Sequence, residues 1–480
     1  MATYRSPGVY VEEIASFPPS IAEVESAVPA FVGYTQKADA LGTGDLLKVP
    51  TPISSWGEYV TYFGGPEKED GANITIAVNE LRTGTVTTGY KVTVTPNAAN
   101  LRKHILFHAV KLFFANGGGK CYIVSVGDYS TAPTKADLEA GLDLVALEDV
   151  PTILVVPEAV YLASDGEFQS INSKMIDQAS TLKDRFAVLD TKATTVPKTP
   201  SSVQADVDVA IGTIPVGDTT RYAAVYYPWV RTAYTYAFDF DNLQLNDHKI
   251  NGVDATGADN KEGLLSALKA TASTLYNAIQ AEYSKYTIAL PPSAAIAGVY
   301  AKTDRDRGVW KAPANVGLVD VIKPLVNVSR GEQDSLNINT TSGKSVNAIL
   351  SMPGFGTVVM GGRTLDGNSN DWKYINVRRF FSVVEESIKK STNWVVFEPN
   401  TASTWTKVQA MIENYLFLKW RDGALAGAKP EQAFQVNVGL GKTMNSVDIL
   451  EGRMIVEIKM AVARPGEFII LQFVQIMQAS

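Results

Sequence analysis

The 480-residue chain is 45% hydrophobic and 19% charged, and its 43 Lys+Arg against 50 Asp+Glu leave a net charge of −7. No basic stripe able to displace counterions from phosphates is visible, which argues against nucleic acid as a partner. The one cysteine, Cys121, excludes an internal disulfide framework and any multi-cysteine metal cluster.

Single cores stop growing beyond about 250–300 residues, so this length predicts roughly two to four domains. The start, Met1 to Gly8, has no apolar stretch of a signal peptide, and the expectation is a chain made and folded in the cytoplasm. Apolar runs such as Thr152–Val156 and Phe468–Leu471 fall far short of the ~18–20 residues a bilayer span needs, which predicts no direct membrane insertion.

In chain order, residues 1–30 read as an extended arm: Val9 to Ile14 has strand character, Pro18-Pro19 interrupts it, and a short alternation follows from Ile21 to Val28. Residues 71–100 are Thr- and Val-rich, with period-two alternation over Lys91–Thr95, and predict a β-hairpin inserted in a larger domain. A helix carrying Ile105, His108, Leu112 and Phe113 should stop at Asn116-Gly-Gly-Gly119, before a buried strand from Cys121 to Val126. Helical faces at Leu138, Leu142 and Val145, then at Phe168, Ile171, Met175 and Leu182, alternate with strands at Thr152–Val156 and Phe186–Leu189. That order predicts a parallel α/β sheet. Residues Thr191–Ser202 read as a surface loop, Tyr222–Val225 as a further strand and Leu264–Tyr283 as one helix.

The last third predicts two amphipathic helices, one striped by Val377, Phe380, Val384 and Ile388. The other carries Trp405, Val408, Ile412 and Tyr415, with Ser403 as its N-cap. Strand patterning then runs from Met454 to Val462, breaks at Arg464-Pro-Gly466 and restarts from Glu467 to Met477.

No constellation of residues arranges a nucleophile, base and orienting group as catalysis needs. Gly439-Leu-Gly-Lys-Thr443 and Ser342-Gly-Lys-Ser345 imitate a phosphate-binding loop, but Val436 and Ile338 stand where its first glycine belongs, so both read as turns. His104 and His108 are four apart with no third ligand in sight and read as partly buried helix residues. Cys121 reads as a buried thiol, and Asp304-Arg-Asp-Arg307 as a solvated ion-pair cluster. The anomaly is at the end of the chain. Phe468, Ile470, Val474 and Ile476 alternate with Ile469, Leu471, Phe473 and Met477, so the final segment is apolar on both faces. It reads either as a central core strand or as a strand given to a neighbouring chain.

Several stretches together resemble the contractile tail sheath family of myophages and contractile injection systems. They include Tyr4-Arg-Ser-Pro-Gly-Val-Tyr-Val-Glu-Glu13, Ala30-Phe-Val-Gly-Tyr34, Phe113-Phe-Ala-Asn-Gly-Gly-Gly-Lys-Cys-Tyr122 and Tyr226-Tyr-Pro-Trp229. Further matches are the stretch from Ile296 to Asn315, Gly362-Arg-Thr-Leu365, Tyr374-Ile-Asn-Val-Arg-Arg379, Phe397-Glu-Pro-Asn400 and Pro465-Gly-Glu-Phe468, in family order. Two departures are Val359-Met-Gly-Gly-Arg-Thr364, where the family often has a Trp-Gly-Ala-Arg-Thr-like segment, and the 71–100 insertion.

The resemblance implies a multidomain α/β fold: a subtilisin-like α/β middle domain (31–370) with a β-rich insertion, and an α+β C-terminal domain (371–480) completed by strands exchanged between subunits. It implies a structural subunit rather than an enzyme, without cofactor, forming hexameric rings stacked helically around an inner tube protein and meeting baseplate and terminal cap proteins. The particle would be assembled in the bacterial cytoplasm as a phage tail or a released tail-like machine. Donated strands would be Val9, Tyr10, Val11, Glu12, Glu13 and Ile14 at one end. At the other they would be Phe468, Ile469, Ile470, Leu471, Phe473, Val474 and Ile476, in the arm 464–480. Lys407, Lys419 and Arg421, on a helix over Ser403–Lys419 and just beyond it, are the candidates for the tube contact. The rival readings are a nucleotide-dependent α/β enzyme using Lys442 or Lys344, and a non-contractile self-assembling surface protein.

Overall fold

A computed structural model describes residues 20–97, 103–192, 200–339 and 341–470. These divide into two compact units, one from residues 25–382 and 464–470, the other from 20–24 and 383–463.

The larger unit is built on a nine-stranded sheet. In spatial order its strands are Val316–Gly317, Gly356–Met360, Asn347–Met352, Ala223–Tyr227, Phe186–Leu189, Ile153–Val155, Pro29–Gly33, Cys121–Ser125 and Thr51–Ile53. The inner strands pair in parallel and the outer ones antiparallel. Parallel strands need crossovers that cover both faces, which is why these segments read as unbroken apolar runs. Phe186 and Val188 point into one core, with the helices Leu106–Ala115 and Ser293–Arg307; Ala187 and Leu189 point into the other, with Lys135–Ala146, Asp165–Leu182 and Pro200–Ile211.

Close packing is enforced by small residues at defined places. A Cβ on Gly141 would lie 2.4 Å from Val32 Cγ1, so only glycine lets that helix approach the sheet, and one on Gly298 would lie 2.6 Å from the Phe113 carbonyl oxygen of the neighbouring helix. The Leu106–Ala115 helix lacks a side-chain cap of its own. Its first N–H groups, from Ile105 and Leu106, donate instead to Oε1 of the buried Glu158 at 2.9 and 3.1 Å, while Tyr34 N–H donates to Oε2 at 2.7 Å.

The predicted 71–100 hairpin is present as Ile74–Thr83 and Val86–Pro96, turning at Gly84 with φ +64°. It is part of something larger. Gln244–Ile250 pairs in parallel with Ile74–Thr83, two short strands complete a separate sheet, and its core of Ile74, Ile76, Val78 and Val94 is covered by Leu265, Leu268, Leu275 and Ile279. The single helix expected over Leu264–Tyr283 is two, Leu265–Thr271 and Ser273–Tyr283, because Ala272 leaves helical geometry (φ −146°, ψ 58°). The expected Thr191–Ser202 loop ends earlier than predicted, since a helix begins at Pro200, a residue suited to a first turn.

The Asp304–Arg307 run is not wholly solvated. The Asp304 carboxylate is buried and receives Arg379 Nη1 at 3.0 Å and Nη2 at 2.6 Å, with Ser26 Oγ donating at 2.7 Å. One helical turn faces inward while Arg305 and Asp306 remain outside, which charge alternation alone does not disclose.

Candidate inter-subunit interface

The smaller unit is built on two long helices and a hairpin, with two short helices, Pro430–Ala433 and Ser446–Leu450, flanking the hairpin strands. Ile375–Ser391 crosses the division between units at Ser382, and Ala402–Arg421 follows, one residue longer at its start than predicted and with Thr401 rather than Ser403 at the N-cap. The hairpin pairs Phe434–Val438 antiparallel with Val456–Met460. Its register sets Phe434, Val436 and Val438 opposite Met460, Ile458 and Val456 on one face, with Gln435, Asn437, Glu457 and Lys459 on the other. The apolar face turns inward: Val436 and Val438 are buried against the Ala402–Arg421 helix.

Cover is uneven across this hairpin. Val456, Ile458 and Met460 are only half-buried, and beside them lies an apolar cleft of about 740 Å³ lined by Ile388, Val408, Ile412, Met454, Val456 and Ile458. Among the described residues the Val456–Met460 strand pairs with Phe434–Val438 alone, so its second edge is open. Two strands with one free edge form a marginal sheet. At the lip of the cleft Phe397, held at φ 69°, and Val396 are exposed.

Residues leading out of the chain ends are tied down. At the N-terminal side, Ala22 N–H donates to Ser391 Oγ at 3.2 Å, Val24 N–H to Ser387 Oγ at 3.1 Å, and Glu23 pairs with Lys419. At the C-terminal side, in the larger unit, Glu467 accepts from Arg363 Nε at 2.8 Å, Arg363 Nη2 at 2.7 Å, Asn337 Nδ2 at 2.8 Å and Tyr374 Oη at 3.2 Å. Burial raises the Glu467 carboxyl, but the Arg363 and Asn337 bonds outweigh it and hold the group below its usual range. Immediately afterwards Phe468, Ile469 and Ile470 are 66%, 83% and 81% exposed and lie in no strand.

Of the predicted strand-donating residues, Val9, Tyr10, Val11, Glu12, Glu13, Ile14, Leu471, Phe473, Val474 and Ile476 lie outside the described residues. Of the predicted tube-contact residues, Lys407 and Arg421 are exposed. Lys419 is not available as expected: it is buried and engaged by Glu23. Its helical position, in the last turn and one turn after Tyr415 on the same face, turns it inward.

Compared with known proteins, the chain is similar along 98% of its length, and over 100% of the other, to a chain in the cryo-EM structure of the anti-feeding prophage helical sheath in its contracted state, at 31% identity and a TM-score of 0.62. The chain belongs to the contractile tail sheath family. The sheath complex of PVC, an extracellular contractile injection system, in its contracted state is similar over 99% of both chains, at 29% identity and a TM-score of 0.63. A family model for the phage tail sheath C-terminal domain matches residues 368–476. The tail sheath protein of Enterobacteria phage T4 is 28% identical over 141 residues, a stretch that is 28% of this chain and 21% of the T4 protein.

In this sheath protein the candidate chemical residues serve the fold. Lys344 is buried and its Nζ donates to the Ile211 and Gly212 carbonyls at 2.5 and 3.3 Å, capping the Pro200–Ile211 helix. Lys442 sits in the turn after the hairpin's first strand, where Lys442 N–H donates to Gly439 O. Both ring nitrogens of His104 are occupied, Nδ1 by Glu67 at 2.7 Å and Nε2 by the Thr131 carbonyl at 2.8 Å. Burial lowers His108 to about 4 and raises the Cys121 thiol far above its ordinary range. No described helix is long and apolar enough to cross a membrane.

Proposed function

We propose that the chain is the structural subunit of a contractile sheath, polymerising as stacked hexameric rings around an inner tube and contracting to drive that tube through a target envelope. The observation that carries this reading is the match along the whole length to a chain of a contracted helical sheath. Relatives also occur in the anti-feeding prophage baseplate, which supports a baseplate partner here.

In this reading the working parts are an arm over 1–30, a subtilisin-like α/β domain over 31–370 with its β-rich insertion, and a C-terminal domain over 371–480. The parallel sheet with helices on both faces supports the second of these. Val9–Ile14 and Phe468–Met477 are strands that neighbours add to the open hairpin, their apolar side chains filling the cleft beside Ile458. Lys407 and Arg421 face the tube. Contraction needs no nucleotide, since many small per-subunit differences between two packings sum along the polymer.

Electron microscopy of the purified polymer tests this: extended tubes that convert to shorter, wider hollow ones are expected, and a chain truncated after Glu467 should fold but stay unpolymerised. Tubes of a single fixed width, or normal tubes from the truncated chain, would refute contraction and strand donation respectively.

A further inference from the structure

The Arg363–Glu467 contact has an uncommon address. The chain completes the smaller unit at Ala463, and four residues later Glu467 is fixed within the larger one. Arg363 is buried and is itself held: its Nη1 donates to the Asn337 and Gly367 carbonyls at 3.3 Å each. Its backbone N–H and carbonyl are both bonded to the Asn347 side chain at 2.8 Å. Tyr374 pairs with Arg363 in an isolated β-bridge, so the groups surrounding the Glu467 carboxylate belong to one rigid frame. A bidentate Arg–carboxylate pair fixes direction as well as distance. The next three side chains, Phe468, Ile469 and Ile470, are apolar and exposed.

We infer that Arg363 is a positioning residue for the C-terminal arm: by clasping Glu467 it defines where the donated strand starts, and so which residues face the acceptor cleft. This rests on the strand-donation reading above. Side chains alternate along a strand, so a start displaced by one residue turns every arm side chain to the opposite face. A flexible tether would absorb such a displacement; a clasp would not. Slack added before Glu467 is therefore harmless, and slack added after it is not.

The experiment places one glycine at either of two sites in the full chain and counts the fraction polymerised by sedimentation and electron microscopy. Insertion between Ala463 and Arg464 should leave that fraction within about twofold of the native chain, whereas insertion between Glu467 and Phe468 should lower it by at least about tenfold, as a one-residue slip in register requires. Adding Arg363→Met to the second insertion should restore polymerisation, because the freed arm can slide back into register, an outcome a merely structural arginine would not give. Equal behaviour of the two insertions, or no rescue by Arg363→Met in a chain that circular dichroism shows to be folded, overturns the inference. If Arg363→Met unfolds the chain, Glu467→Gln takes its place in the rescue. The chain truncated after Glu467 separates the two levels: its normal polymerisation refutes strand donation itself. Its failure to polymerise, combined with equal insertions, refutes only the clasp.

Discussion

Ser293, the first residue of the Ser293–Arg307 helix, donates its backbone N–H to Asp190 Oδ1 at 2.9 Å, and its hydroxyl oxygen lies 2.5 Å from Oδ2. The pair joins that helix to the end of the Phe186–Leu189 strand across 103 positions of sequence. Burial raises the Asp190 carboxyl from 3.8 to about 7, against the opposing pull of the Ser293 bonds. Between those values the folded chain keeps a proton that the unfolded chain has released, so this group's contribution to stability falls as pH rises. Asparagine is neutral throughout and can both accept from the Ser293 N–H and donate to its hydroxyl. Asp190→Asn should gain on the native chain by up to about 1.4 kcal/mol per pH unit across that window and by nothing further above it. Urea midpoints measured at several pH values check this; a difference that does not change with pH contradicts it.

Arg379 is the sole residue with an ion pair to Asp304 among the described residues; it also donates to the Ser26 carbonyl at 2.9 Å and sits over the Tyr300 ring at 4.5 Å. Arg379→Met leaves a buried carboxylate without its countercharge and should cost about 3–5 kcal/mol, while adding Asp304→Asn recovers part of that. Equilibrium denaturation of the two variants gives the comparison, and an equal loss in both would assign the effect to packing alone.

Ile458 lines the cleft beside the open edge yet is only half-buried in the single chain. Ile458→Lys should leave the monomer's circular dichroism unchanged and melting within a few degrees, but abolish polymers in sedimentation. Polymer formation at the native level would remove the cleft from the assembly interface.

Lys407 and Arg421 are exposed, whereas Lys419 is engaged by Glu23. Replacing Lys407 and Arg421 together by Glu should slow tube-templated assembly, most at low salt where exposed charges are least screened, with little change in melting. Lys419→Met should instead make residues 20–24 more susceptible to protease. A reversed pattern would interchange the two roles.

Much of the fold was legible because its signals are local and strong. Phe186–Leu189 is a strand with the bounds its apolar run predicts, and the helices around Phe168 and Val377 follow from their stripes. What escaped depends on distance. Gln244–Ile250 is polar at every position but Leu245 and Ile250 and gains strand identity from pairing with Ile76–Glu80, some 170 residues earlier. Pro200–Ile211 has weak amphipathicity and is stabilised at its end by Lys344, a residue whose Ser-Gly-Lys-Ser context reads only as a turn. The candidate interface divides in the same way. The apolar final segment announces itself, but the clasp on Glu467 is assembled from Asn337, Arg363 and Tyr374, which no spacing rule connects.

The two chain ends are rooted on different bodies. Residues 20–24 are held by Ser387, Ser391 and Lys419 of the smaller unit, and Glu467 by Arg363 of the larger. A pull on the N-terminal arm therefore enters the molecule through one unit, and a pull on the C-terminal arm through the other. In a polymer joined by such arms, tension carried along the chain from one unit to the other must cross the backbone at Val24–Glu25, Ser382–Val383 or Ala463–Arg464. Those three peptide stretches are where the chain hands such tension from one unit to the other.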